Sequence, residues 1–277
     1  MPMRIGVVTA LTAEAKAFLA EAPICDHRDG SASIKVVRWD GIEIGCLVSG
    51  MGRARAYAAA RSLIEAGARL LVSAGVAGGL DPRLSCGDAV LADRILRTGD
   101  DRAREGDWQA LCPGSPQAGP LSARTHGAPA PDGFSLSDTT PARRLARGLL
   151  ACVDQPVLAA KDKAALHART RALAVDMESA GVALAAQESA IPVASLKVIS
   201  DTADRELPKA VAAVIDQRGE LRPAALIARI ARHPTLIPAI TRLARDFHRA
   251  RETLQALGLP LTAALGHQFR DRIRDSI

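Results

Sequence analysis

Two carboxylates stand at the ends of one short stretch of chain, and their spacing suggests a shared task. The stretch opens Val-Asp-Met-Glu-Ser at 175–179 and closes Ile-Ser-Asp at 199–201. Between them, the small-residue run Ala180 to Ala190 reads as a helix and the apolar run Ile191 to Ile199 as a strand. Glu178 and Asp201 thus bracket a helix–strand unit and can face one cleft at the strand's C-terminal end, where α/β sheets bind ligands. Two acids in one pocket, held in different environments, can divide leaving-group protonation from charge stabilisation. Lys197 interrupts the apolar strand, so it lies at a sheet edge or is paired in a pocket. Glu14 follows the first strand, where an acid also complements a helix dipole. Taken singly, each has an ordinary explanation: acids cap helices and Met177 fills a core.

The elements that must position these residues alternate between strand and helix. Residues 4–10 read as a buried strand and 12–22 as a helix. The runs 34–39 and 42–49 flank Asp40-Gly41, a hairpin signal. Helix 53–66 and strand 69–74 follow, then strand 88–92, regular structure over 143–154 read as a helix end and then a strand at 149–153, helix 161–170 and strand 172–176. Such alternation implies one mostly parallel or mixed sheet covered on both faces. Residues 97–141, rich in Gly, Pro, Ser and Asp, read as long loops or a lid. The glycine clusters Gly50-Met51-Gly52 and Gly75-Val76-Ala77-Gly78-Gly79 follow strands but fit neither dinucleotide nor Walker patterns. They read as tight turns, or as backbone brought close to a ligand.

Composition excludes several classes. Aromatics are 3% of the 277 residues, which leaves few platforms for stacking nucleic-acid bases. The five cysteines are scattered without a CxxC pair, and the histidines lack metal-ligand spacing, so reduced thiols, a cytoplasmic setting and no metal are expected. The first strand begins too early to leave room for a signal peptide, and no apolar stretch suits a spanning helix. The net charge of +6 is concentrated in residues 218–251, where eight arginines face two acids. After Pro208 the pattern becomes helices, read as broken by Pro223, Pro234, Pro238 and Pro260.

In order along the chain stand Arg4-Ile5-Gly6 with Ala10 and Glu14; Ser49-Gly50-Met51-Gly52; Gly75-x-Ala77-Gly78-Gly79-Leu80; Gly87-Asp88; Val175-Asp176-Met177-Glu178; and Ile199-Ser200-Asp201. Over about residues 3–205 this series resembles the purine nucleoside phosphorylase and methylthioadenosine/S-adenosylhomocysteine nucleosidase superfamily. The resemblance implies a three-layer α/β catalytic domain at 1–207, with a central mixed, partly barrel-like sheet flanked by helices. A basic amphipathic helical extension, 208–277, would pack on it. It also implies cleavage of a nucleoside N-glycosidic bond, with no cofactor and a homodimer or higher oligomer.

Carried over by position, Asp201, steered by Ser200, would protonate or hydrogen-bond N7 of an adenine-like base; holding or sharing a proton near pH 7 would require burial to raise its pKa. Glu178 would hold the ribose hydroxyls while positive charge develops on the sugar, and Met177 would pack on the ribose. Glu14 would orient or deprotonate the attacking water, with Lys197 beside it. Val76, Ala77 and Gly78 would line the pocket. The sequence departs from the pattern at Val76, where a hydroxyl is usual, at Ser73, where many phosphorylases carry arginine, and at Pro156-Val157, where a stacking aromatic is replaced. Water is therefore the expected nucleophile; with inorganic phosphate as co-substrate, Arg53 or Arg55 would supply the anion site.

The tail bears on the substrate. Leu226, Ile227, Ile230, Leu236, Ile237, Ile240, Leu243 and Phe247 recur at helical spacing among arginines. This reads as a helical pair with a solvated basic face, or as a cationic surface resting on anionic lipid at the inner face of a membrane. With the run Asp-Thr-Ala-Asp-Arg-Glu-Leu-Pro at 201–208, the chain resembles the hopanoid-associated phosphorylases, or adenosylhopane nucleosidases. That implies adenine loss from a lipid-linked nucleoside in hopanoid biosynthesis. The alternatives are a nucleosidase acting on methylthioadenosine or S-adenosylhomocysteine, and a non-catalytic nucleoside-binding protein. A nucleic-acid partner is disfavoured because Phe247 and Phe269 are the tail's only aromatics.

Overall fold

The computed structural model describes residues 4–20, 22, 23, 25–29, 32–97, 109–111, 144–207, 232 and 237–275. The expectations for 98–108, 112–143 and 208–231 lie outside these residues.

The centre of the sheet is β5 (Leu70–Gly79), a ten-residue strand of almost unbroken apolar and small side chains, as burial on both faces requires. It runs parallel to β1 (Arg4–Thr9), which in turn runs parallel to β4 (Ile42–Val48). β3 (Ala32–Trp39) and β2 (Cys25–Asp29) extend this side antiparallel. Asp40 and Gly41, both at positive φ, make the two-residue turn of the β3–β4 hairpin.

On its other side, β5 pairs with β10 (Val193–Asp201) in parallel and, at its end, with β9 (Ala174–Asp176) antiparallel. β10 pairs with β6 (Ala89–Arg97), β6 with β8 (Leu145–Cys152), and β8 with β9. These five strands close a ring, which is the expected barrel-like part of the mixed sheet. β7 (Gln109–Leu111) adds to β6.

Helices cover both faces. On one side α2 (Arg53–Glu65) packs on α4 (Ser179–Glu188), and Ala56, Ala60, Leu63, Val182 and Ala186 join one buried cluster with Val8. On the other, α1 (Thr12–Leu19) and α5 (Ile237–Asp275) bury Phe18, Leu254 and Leu257 against Ile5 and Val7. The opposite assignments of Val7 and Val8 follow from the two-residue period of β1.

The structure corrects several local expectations. Gly75 to Gly79 are not a turn; they complete β5, and the bare backbone of Gly75, Gly78 and Gly79 admits other groups against the strand. Residues 145–152 form strand throughout. Neither Pro238 nor Pro260 breaks α5. Pro238 lies in the first turn, where its missing N–H has no intrahelical acceptor to lose. Pro260 lies inside, where proline costs about 3 kcal/mol. Leu257, Leu259 and Leu261 are buried around it, and each gives roughly 2 kcal/mol on burial. Packing therefore outweighs the lost bond.

Candidate active site

Glu14 sits at the third position of α1, with its carboxylate turned back towards the sheet. Its Oε2 accepts from the backbone N–H of Ala10 at 3.0 Å and Leu11 at 2.9 Å, and Oε1 accepts from Val76 N–H at 2.9 Å. One acid therefore caps a helix start and ties it to β5. The approach needs Gly75: a Cβ there would lie 2.7 Å from Glu14 Oε1, and the residue's φ of +151° disfavours other side chains. Burial raises the Glu14 pKa, opposed by the nearby Lys197 ammonium and by the three backbone donors.

Glu178 precedes α4 and reaches across to the start of α2, where Gly52 N–H donates to Oε1 at 2.8 Å. The two helices come this close because Gly181 lies against α2; a Cβ would meet the Arg53 carbonyl at 2.2 Å. Burial, reinforced by the neighbouring Asp176 charge and opposed by Lys197, raises the Glu178 pKa to about 7. Met177 is half-buried beside it.

Asp201 ends β10. A register shift between Ile199 and Asp201 places it opposite Gly78, and its Oδ2 would lie 3.3 Å from a Cβ on that glycine. Ser200 Oγ donates to Asp201 Oδ1 at 2.8 Å and approaches the Ala77 carbonyl at 3.3 Å. Val76, Ala77 and Gly78 pair with β10 between Val198 and Asp201, so these pocket residues lie directly beside the acid-bearing strand. Glu14, Glu178, Asp201, Ser200 and Lys197 are all buried at this end of β5 and β10.

Lys197 has a partner that the sequence reading missed. Its Nζ lies 2.9 Å from Asp176 Oδ2, and the same oxygen accepts from Ser179 N–H at 3.0 Å and from Ser179 Oγ. Burial presses the Lys197 pKa down, but Asp176, Glu178 and Glu14 together leave it raised, so it stays a cation among three acids. Beneath it, Ser179 Oγ contacts Ser195 Oγ at 3.0 Å and Ser73 Oγ at 3.2 Å. Asp176 could have been found by strand alternation: in Val-Asp-Met-Glu it lies on the opposite face of the chain from Val175.

A second lysine was missed altogether. Lys163, on α3 (Ala160–Thr170), is fully buried; its Nζ donates to Asp201 Oδ2, to the Thr202 carbonyl at 2.9 Å and to the Arg205 carbonyl at 3.1 Å. Its signal was the spacing to Leu166, the other buried residue of that helix, which puts a lysine on the inward face.

Other expected residues stand further out. Arg53 pairs through Nη2 with Asp154 at 3.3 Å, on the loop that carries Val157, and among the described residues its buried Nη1 has no hydrogen-bond partner. Arg55 is half-buried on α2, and Val157 packs against a cluster that includes Leu80, Leu166 and Val175. Cys46, Cys86 and Cys152 form no disulfide among the described residues. Among the described residues, no group of His, Cys, Asp and Glu could hold a metal, and no helix is long and apolar enough to cross a membrane.

A part-closed mixed sheet with buried acids on one edge of β5 and β10 defines an α/β enzyme of the nucleosidase and nucleoside phosphorylase kind. The family model described as the phosphorylase superfamily matches residues 4–232, and the chain belongs to that superfamily. Its fold is shared with the 5′-methylthioadenosine/S-adenosylhomocysteine nucleosidase of Colwellia psychrerythraea 34H in complex with adenine (TM-score 0.65, 19% identity, 96% of each chain covered). The same enzyme of Helicobacter pylori, with butyl-thio-DADMe-Immucillin-A, aligns with TM-score 0.62 and 19% identity over 93% of this chain and 98% of that one. The futalosine hydrolase of Helicobacter pylori aligns with TM-score 0.60 and 18% identity over 93% and 97%.

Proposed function

We propose that the enzyme cleaves the N-glycosidic bond of a 5′-modified adenosine and releases adenine. The observation that carries this reading is the convergence of Glu14, Glu178 and Asp201 at one end of β5 and β10, each with its own set of donors. Bond breaking separates positive charge on the ribose from negative charge on the base, and carboxyl groups in different states serve the two ends. Glu178 would face the sugar as an anion, and Asp201, oriented by Ser200, would give a proton to the departing base. Glu14 would accept a proton from the attacking water, its raised pKa making it a better base. Lys197 would keep the acids' mutual repulsion in check.

Water is the favoured nucleophile, because Val76 supplies no hydroxyl to an anion. We assign the catalytic unit to 1–207 and the extension to 208–277. The solved relatives named for methylthioadenosine and S-adenosylhomocysteine support an adenosine with a 5′ substituent. For that substituent we favour a large lipid such as the hopane of adenosylhopane. The first turns of α5 support this, since Ile237 is 48% exposed and Arg242, Arg245 and Arg249 stand exposed nearby. Such a surface suits contact with anionic lipid.

The test is adenine release from a panel of methylthioadenosine, S-adenosylhomocysteine and adenosylhopane, with and without phosphate. Release from adenosylhopane above the others, unchanged by phosphate, is expected. Fast turnover of methylthioadenosine alone would move the assignment to the small thio-nucleosides. Phosphate dependence would replace hydrolysis by phosphorolysis. Replacing Arg242, Arg245 and Arg249 by serine should weaken binding to anionic liposomes; unchanged binding would remove the lipid contact.

A further inference from the structure

We infer that Lys163 is a positioning residue for Asp201 and the counter-charge for the carboxylate that Asp201 becomes when its proton passes to the leaving base. The inference rests on the proposed reaction. An ammonium has three donors, and Lys163 directs them to Asp201 Oδ2, the Thr202 carbonyl and the Arg205 carbonyl, so the set is filled. The lysine has no exposed surface, and a buried charge persists only when paired. Among the described residues, the carboxylate it pairs with is the candidate acid. The two carbonyls belong to the segment that follows Asp201, and Leu207 N–H bonds to the Leu158 carbonyl at 2.9 Å, two residues before α3. α3 and the end of β10 are thus tied at both a charge and a backbone contact.

The step balances within the site. The glycosidic electron pair leaves with the base, the proton moves from Asp201 to a ring nitrogen, and the new carboxylate is met by the Lys163 ammonium. Ser200 holds the other carboxyl oxygen, so the group cannot rotate as its charge changes. Among the described residues, the other titratable groups near this pair are Cys86, Asp204, Arg205 and Arg249. Both arginines face Asp246 on α5, which offsets their charge and leaves Lys163 as the cation in direct contact with Asp201.

The experiment compares Lys163→Gln, which keeps hydrogen-bond donors without the charge, with Lys163→Arg, which keeps the charge. For Lys163→Gln we expect kcat for adenine release to fall at least about tenfold with KM changed less than about threefold. Lys163→Arg should keep kcat within about threefold of the unaltered enzyme. A kcat unchanged in Lys163→Gln, or lowered equally in both variants, overturns the inference. Should a variant fail to fold, ¹⁵N NMR of the lysine ammonium groups in the unaltered enzyme decides. Asp201→Asn and Asp176→Asn distinguish Lys163 from Lys197, and adenine must displace the Lys163 resonance; a resonance indifferent to adenine overturns the role. A wild-type enzyme inactive on every adenosine of the panel would instead refute the reading of the site itself.

Discussion

The pKa of about 7 at Glu178 links stability to activity in a way that one substitution can isolate. In the unfolded chain this carboxyl titrates near 4.5, so the folded state binds the proton more tightly by about 2.5 pH units. At pH 8 the group is ionised in both states, and its burial beside Asp176 costs about 3 kcal/mol, at roughly 1.4 kcal/mol per unit. As the pH falls through 7, the folded state takes up the proton first and stability rises. The gain saturates near pH 4.5, where the unfolded state also protonates. Glu178→Gln removes the titration but keeps an oxygen to accept from Gly52 N–H. Melting curves of both proteins from pH 5 to pH 8.5 should therefore diverge. Relative to the glutamine variant, the wild type should lose about 3 kcal/mol towards alkaline pH, or roughly 6–10 °C in Tm. Adenine release should run the other way, falling below pH 7 as the sugar-side anion is neutralised. A difference in Tm that stays flat across the range would refute the burial argument, and unimpaired release at pH 5.5 would remove Glu178 from the chemistry.

Three further outcomes follow from contacts at the site. Gly75→Ala should reduce kcat by more than about a hundredfold, because the added Cβ displaces Glu14; steady-state adenine release measures it. Gly181→Ala brings a Cβ against the Arg53 carbonyl and Tyr57 N–H, so α2 and α4 must separate. About 1–3 kcal/mol of stability should be lost in urea denaturation, together with a higher KM as Glu178 loses its Gly52 contact. Asp246→Asn removes the buried acid that pairs with the solvent-accessible Arg205 and Arg249, and should cost about 1 kcal/mol. Hydrogen exchange should localise the loosening to α5 and the segment after β10.

Much of this arrangement was legible in the sequence, for physical reasons that also explain the gaps. The helix–strand unit between Glu178 and Asp201 showed itself because α4 is built of small residues and β10 is an apolar run with one lysine. The Asp40-Gly41 turn was legible because few residue pairs accept two positive φ angles. The glycine-rich end of β5 misled, since glycine marks either a turn or a strand against which other groups press, and composition does not separate them. Pro260 misled because propensity is local, whereas the leucines that hold α5 together act through distant partners. For Lys163 and Asp176 the local pattern marks an inward-facing position, but the partner of each is remote in sequence, 38 positions away for Lys163 and Asp201.

The close fit between Gly75 and Glu14 constrains the order in which this protein can change. While the acid occupies its three-donor cradle, any side chain at position 75 collides with it, so that glycine is not free to drift. If the acid were first shortened or lost, position 75 would gain room and could fill with a larger residue. A later return of glutamate at 14 would then meet an occupied site. The two positions form a one-way gate: a lineage that abandons the base on α1 and then fills the strand beneath it has no single-step route back to this chemistry.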